Sequence, residues 1–272
     1  MAGATRCMDD AGVDGVYLDG TGSPLPWYNP YHGCGPVAGD GTVHSRATFF
    51  ANRRMMQRLY AAIMAHNPEG QINLHNSAFM TMPSMAFATS CWDGEPLSTA
   101  PGRPMPDRMP LDCFRTEFMG HQWGVAQGFL DYFLPYLFAT EWGLTLLHDV
   151  PIRPYMQEER HNLTSRLWRL MDEFGRAEAQ WLPYWSNAAS VEVEPEGCYA
   201  SLYRHPRNGV LAVVMNYRMQ PAVVRVKLCA PALGLAAGAR ATDGLTGEPS
   251  LLHDGSLELG LEPLDWKVIW VR

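Results

Sequence analysis

Two hydrophobic periods divide this chain, and the change between them near Ser190 limits its folds more than any other feature. From Ser190 onward the period is two: Ser190-Val-Glu-Val-Glu194 alternates polar and apolar residues. Cys198 to Tyr203 and Val210 to Tyr217 read as strands, joined by His205-Pro-Arg-Asn-Gly209. The Asn208-Gly209 step favours a tight hairpin, because both residues tolerate positive φ. Ala222 to Leu228 alternates apolar and basic residues, as a half-exposed strand does. A second hairpin is expected at Asp254-Gly255, before Leu257, Leu259 and Leu261, and Leu264 to Val271 closes the chain. Short strands at regular spacing predict an antiparallel all-β sandwich over residues 186–272. It carries no cluster of acids or histidines, so a structural role is expected for it.

Residues 1–185 alternate strand-like and helix-like segments instead. Gly15 to Leu18, Gln71 to His75 and Met85 to Cys91 read as short buried strands. One of Phe114 to Phe118 and Gln122 to Val125 is expected to be another, and Gly143 to Leu147 is a strand or a helix end. Phe49 to Met64 and Glu158 to Trp181 read as helices; Phe50, Met55, Leu59 and Ile63 repeat at helical spacing in the first. Such alternation implies a mainly parallel sheet. Polar residues gather just after the strands: Asp19, His75 with Asn76, Asp93 with Glu95, and His148 with Asp149. In barrels and open parallel sheets alike, sites form at those C-terminal strand ends. The Pro/Gly-rich stretch Thr21 to Thr42 is too long for a plain connection and is expected to be a functional loop.

A complete eight-unit barrel takes roughly 250 residues. Only four or five strand–helix units precede the sandwich, and the chain opens on a helix tail. The expectation is an α/β protein: a partial (β/α)8 TIM-type barrel, about strands 4–8, over residues 1–185, with the earlier strands missing. The alternative is an open parallel sheet complete as it stands.

Composition excludes some partners. The chain is 47% apolar and 18% charged, enough to bury a core, and its net charge of −7 argues against a nucleic-acid surface. No apolar run approaches the roughly 18 residues of a membrane span, and the first residues lack a signal-peptide core. The six cysteines form no CxxC pair, so no zinc ribbon is indicated. Cellular location is not readable.

Paired carboxylates at strand ends are the chemistry of glycoside hydrolysis: one stabilises or attacks the sugar, the other protonates the leaving oxygen. Asp19 is the candidate nucleophile or stabiliser, and Asp93 or Glu95 the general acid. Trp27, Tyr28 and Trp92 are candidate platforms for a sugar ring. Arg115, His75 and Asn76 are candidate hydroxyl contacts. Glu117 and His148 complete the candidate substrate-binding set. No metal or organic cofactor is required. Each residue also has a plainer role, as turn acid, helix cap, packed aromatic or satisfied histidine. The sequence lacks the GxSxG elbow of an unrelated α/β hydrolase.

Gly15-Val-Tyr-Leu-Asp19-Gly20, Asn73-Leu-His75-Asn76-Ser77, Ser90-Cys-Trp92-Asp93-Gly94-Glu95 and the stretch from Phe114 to Gly124 resemble bacterial proteins related to glycoside hydrolase family 123. Ala241 to Glu248 resembles the last domain of many barrel glycosidases. The resemblance implies a barrel with an appended sandwich and action on a glycoside. In family 123 an adjacent Asp-Glu pair works with the acetamido group of a β-N-acetylgalactosaminide. Here Asp172-Glu173 falls inside a predicted helix, and Gly94 separates Asp93 from Glu95. Acids after the fourth and sixth strands are more similar to the α-galactosidase-like barrels. The expected function is therefore a glycoside hydrolase, a truncated piece of a longer enzyme. The alternative is a non-catalytic carbohydrate-binding or scaffold fragment. The expected partners are a carbohydrate substrate and the missing N-terminal half of the barrel.

Overall fold

The computed structural model of the chain describes residues 2–20, 26–27, 29, 31, 35–76, 81–95, 97, 105–120, 124–130, 138–153 and 158–272. The chain divides into two compact units. The first comprises residues 1–96 and 120–128, the second residues 97–119 and 129–272.

The first unit is built on parallel strands. Helix α1 (Ala2–Ala11) leads into β1 (Gly15–Leu18). A two-residue ladder of β2 (Pro26–Trp27) and β3 (Arg46–Ala47) precedes helix α2 (Phe49–His66). Strand β4 (Gln71–His75), the short helix α3 (Met82–Met85) and strand β5 (Ser90–Asp93) follow. The expected strand Met85 to Cys91 thus starts later: Thr81 and Pro83 open a helical turn first, as Pro in a first turn favours. Strand β6 (Ala126–Leu130) completes the order β1-β4-β5-β6, and the unit boundary falls within it. Neighbours in space are neighbours in sequence, without the reversal that marks a doubly wound sheet.

Register separates the two faces of these strands. Leu18 pairs with Leu74 and Leu74 with Cys91, while Tyr17 pairs with Asn73 and His75 with Trp92. Ile72, Leu74 and Cys91 pack with Met8 of α1 and with Met56, Leu59 and Ile63 of α2. The buried stripe of α2 is therefore Met56, Leu59 and Ile63; Phe50 and Met55 lie on its exposed face. The opposite strand face carries Tyr17, Asn73, His75 and Trp92.

The second unit begins with two short helices, α4 (Met105–Arg108) and α5 (Leu111–Glu117). The segment Phe114 to Phe118, an expected strand candidate, is therefore helical in its main part. Phe114 and Phe118, four apart on one helix face, stack at 5.1 Å. The end of β6 pairs in parallel with β7 (Ile152–Arg153), and helix α6 (Phe138–Leu147) lies between them in sequence. Helix α7 (Glu158–Phe174) buries Leu167, Leu170, Met171 and Phe174, but it stops seven residues short of the expected end at Trp181. Gly175 breaks it at φ 79°. No helix among the described residues is long and apolar enough to cross a membrane.

From Gln180 the unit is antiparallel. Its strands are β8 (Gln180–Leu182), β9 (Val191–Glu194), β10 (Cys198–His205), β11 (Gly209–Asn216), β12 (Ala222–Leu228), β13 (Ala241–Asp243), β14 (Pro249–Ser250), β15 (Leu252–His253), β16 (Ser256–Leu261) and β17 (Trp266–Val271). They form a six-stranded sheet, β14-β13-β17-β11-β10-β8, and a four-stranded sheet, β15-β16-β12-β9. Leu202, Ala212, Val214 and Ile269 face Val224, Val226 and Leu259 between the sheets. The other face of the six-stranded sheet packs Leu211, Val213 and Val268 against Trp142, Leu144 and Leu167 of the helices. Burial on both faces explains why β11 is apolar without interruption while β12 alternates. Both expected hairpins form: Asp254 and Gly255 take φ 48° and 77°, and Gly209 takes φ 81° opposite His205.

Gly209 has a second constraint, since a Cβ there would lie 2.2 Å from the Val271 carbonyl oxygen. Gly209→Ala should cost about 2 kcal/mol through backbone strain and a pushed strand. A thermal unfolding midpoint equal to that of the parent would contradict this.

Candidate active site

Register and a single glycine assemble a polar cluster in the first unit. Gly15 lies so close to β4 that a Cβ would meet the Gln71 carbonyl oxygen at 1.9 Å. That approach sets the pairing Gly15↔Gln71 to Leu18↔Leu74, which brings Asp19 beside His75 at the strand ends. His75 Nδ1 lies 3.3 Å from Asp19 Oδ1 and 2.5 Å from the Tyr17 hydroxyl, and Nε2 lies 2.8 Å from Glu95 Oε2. The imidazole is largely buried, at 12% side-chain exposure, whereas Asp19 is 76% exposed. The Tyr17 ring leans on Trp92 at 4.9 Å between centroids, so an aromatic wall borders the cluster.

Both carboxylates therefore address one ring. Both reaching one imidazole, the two oxygens lie no more than about 8 Å apart, a ceiling that admits the roughly 5–5.5 Å of a retaining carboxylate pair. A ring protonated on both nitrogens donates to both acids. A ring protonated on Nε2 alone donates to Glu95 and accepts from the Tyr17 hydroxyl.

Asp93 points elsewhere. It is buried, it accepts the Gly94 amide at 2.7 Å, and it shares strand parity with buried Cys91. Its charge, added to burial, holds the Cys91 thiol up at about 12. Had the strand continued, Glu95 would share that face. Gly94 at φ 133°, where glycine is favoured, turns the chain so that Glu95 reaches the His75 side. Asn76 is buried beside the cluster, its backbone N–H donating to the Trp92 carbonyl at 2.7 Å.

The other expected contacts lie in the second unit. Arg115 is on α5, stacked 4.2 Å over Trp185 and bonded to Asp112 at 3.0 Å. Glu117 ends that helix, and desolvation of its carboxyl raises its pKa. His148 follows α6 and is buried, its Nδ1 2.7 Å from the Leu144 carbonyl and its ring against Phe114 at 4.5 Å. Arg115 and Glu117 stand on helix α5 (Leu111–Glu117), and His148 directly follows helix α6 (Phe138–Leu147), the helix-end alternative expected for Gly143 to Leu147. Tyr28 and the side chain of Trp27 lie outside the described residues. Tyr17 escaped the sequence reading, although its place two residues before Asp19 on one strand gives it the same face. Among the described residues no group of three or more His, Cys, Asp or Glu is arranged to hold a metal ion.

Sequence comparison bears on the other end of the chain. Residues 163–243 match the glycoside hydrolase 123 C-terminal domain. The match runs from α7 into β13 and so joins the helical and antiparallel parts of the second unit. No curated protein matches the chain. Solved structures share its fold at low identity. A family 27 β-L-arabinopyranosidase from Geobacillus stearothermophilus aligns with a TM-score of 0.58 at 10% identity, over 98% of this chain and 59% of its own. An α-amylase from Geobacillus thermoleovorans, complexed with acarbose, gives 0.57 at 10%, over 100% and 62%. A putative α-N-acetylgalactosaminidase from Bacillus halodurans gives 0.52 at 11%, over 98% and 76%. The chain thus spans about three fifths of the first two. The expected likeness to a family 123-type C-terminal part and to the glycosidase fold is found.

His148 provides a pH test of the second unit. Burial pulls its pKa down from 6.5 to about 4, so the folded state holds the ring neutral. An unfolded chain takes up the proton first, so stability is full above pH 6.5 and falls as pH drops towards 4. The loss amounts to about 3 kcal/mol. Unfolding midpoints measured across this range should fall for the parent and flatten for His148→Gln; equal slopes would count against the assignment.

Proposed function

We propose that this chain is the C-terminal part of a glycoside hydrolase, with Asp19 and Glu95 as its carboxylate pair. The observation that carries the reading is the shared contact of both acids with His75. Asp19, open to solvent beside Tyr17 and Trp92, is the nucleophile or the stabiliser of positive charge at the anomeric carbon. Glu95, in its protonated form, gives its proton to the leaving oxygen. The retaining spacing and the lower part of the inverting range fall under the ceiling that the His75 contacts set. His75 positions the two acids, and Trp92 supplies an apolar face to the sugar. On this reading β1, β4, β5, β6 and β7 are strands four to eight of a (β/α)8 barrel, and residues 186–272 form the appended β domain, with β8 leading into it. Sequential strand order and the partial coverage of longer glycosidases support it.

A second reading follows from one observation: β1 is an edge strand. Asp19 then sits where a barrel would continue, and this length of chain binds sugar without cleaving it.

A panel of 4-nitrophenyl glycosides separates the two. Under the first reading the chain hydrolyses at least one of them. Asp19→Asn and Glu95→Gln then each lower kcat about a thousandfold or more while the melting temperature stays put. Asp93→Asn, altering a buried turn acid, lowers the melting temperature more than kcat. Full turnover in Glu95→Gln would sink the pair; binding without turnover in the parent favours the second reading.

A further inference from the structure

The second unit contains a groove of about 480 Å³, a volume usual for small-molecule sites. It lies between the end of α6, the start of β7 and the last turns of α7, and it shares no residue with the Asp19–His75–Glu95 cluster. Its floor is apolar, with Leu146, Val150 and Met171 buried beneath it. On its rim the Trp168 indole is 56% exposed, so a broad aromatic face stands in water beside a concave surface.

The polar wall is an ion pair. Asp149 Oδ1 accepts Arg176 Nε at 2.9 Å, Arg176 Nη2, and the Tyr203 hydroxyl at 2.8 Å. These bonds fall on Oδ1 of the carboxylate and on Nε and Nη2 of the guanidinium. The pair is held in place. Tyr203 is buried, and its hydroxyl also lies 3.1 Å from the Leu146 carbonyl oxygen. Asp149 itself sits at φ 57°, a conformation that most side chains avoid. A fixed acceptor beside a fixed donor is the complement of a pair of hydroxyl groups, each of which both donates and accepts.

Charge narrows the ligand further. Arg176 offsets Asp149, which leaves Asp172 on the lining with no cation paired to it among the described residues; Glu178 already holds Arg207 at 3.0 Å. Phosphates, sulfates and acidic sugars are therefore disfavoured. A neutral pyranose has what remains: an apolar C–H face for the indole and equatorial hydroxyls for the ion pair.

We propose that this groove is a second carbohydrate site, binding one or two rings of a neutral glycan with Trp168 as platform and Asp149 and Arg176 as hydroxyl partners. It stands independently of the assignment of Asp19 and Glu95.

The test is isothermal titration calorimetry on the full chain carrying Asp19→Asn and Glu95→Gln, so that no probe is consumed. The probes are maltotriose, galactobiose and diacetylchitobiose. At least one should bind saturably with a millimolar or tighter Kd. Adding Trp168→Ala should weaken it about tenfold or more. Trp168 is exposed, so this variant should keep the parent melting temperature. In the otherwise unaltered chain it should also keep the parent turnover of a small aryl glycoside. Arg176→Lys, which retains charge but loses the planar fork, should weaken binding as well. The proposal fails if none of the three probes binds, or if binding is indifferent to both Trp168→Ala and Arg176→Lys.

Discussion

Strand parity, enforced by the parallel register of β1, β4 and β5, decides what this protein can do in its first unit. One face buries Ile72, Leu74 and Cys91 against Met8 of α1 and Met56, Leu59 and Ile63 of α2. Whatever stands on the other face is released from the core and open to function. Tyr17, His75 and Trp92 occupy that face, and Asp19 follows in the same phase. A slip of one residue would drive His75 into the helices and expose Leu74. The close approach of Gly15 to Gln71, too tight for any Cβ, resists that slip at its start.

The second unit meets a different constraint. Its six-stranded sheet is apolar on both faces, so polar groups from the helices and turns must find partners within it. The Ser201 hydroxyl donates to the Leu147 carbonyl at 2.6 Å and accepts the Tyr184 amide at 3.1 Å. Asn216, fully buried, gives its amide hydrogens to the carbonyls of Gln220, Leu261 and Glu262. The Tyr217 hydroxyl donates to the Met109 carbonyl at 2.7 Å. Such bonds add little net stability each, but leaving a buried partner unmade is costly. They therefore fix where the helices and turns meet the strands, and the Asp149–Arg176–Tyr203 contact belongs to this class of device.

Much of this was legible from sequence because it rests on local rules. Asn208-Gly209 and Asp254-Gly255 announce hairpins through their tolerance of positive φ. The alternation from Val224 to Leu228 announces a strand with one wet face. Asp19 and His75 stand out as polar residues closing apolar runs. The failures share a cause too: they sit where tertiary burial overrides pattern. Phe114 to Phe118 looks like strand or helix on composition, and only the packing of Phe114 and Phe118 onto Phe129 decides for helix. The strand Ala126–Leu130 is disguised by Gln127 and Gly128. Arg115 and Glu117 lie in the first of these segments and so stand on a helix.

Asp93 and Glu95 end up on different sides of the same strand end. Two acids one residue apart share a face in an extended strand, so no pattern of alternation separates them. What separates them is backbone freedom at Gly94. At φ 133° the chain abandons the strand, leaving Asp93 buried and bonded to its own following amide while Glu95 swings onto the imidazole. A side chain at position 94 would resist that φ and favour continuing the strand, which would carry Glu95 away from His75. The pairing of Asp19 with Glu95 therefore rests on a residue with no side chain, and the spacing Asp-Gly-Glu is itself the signal that a rim carboxylate follows a buried one.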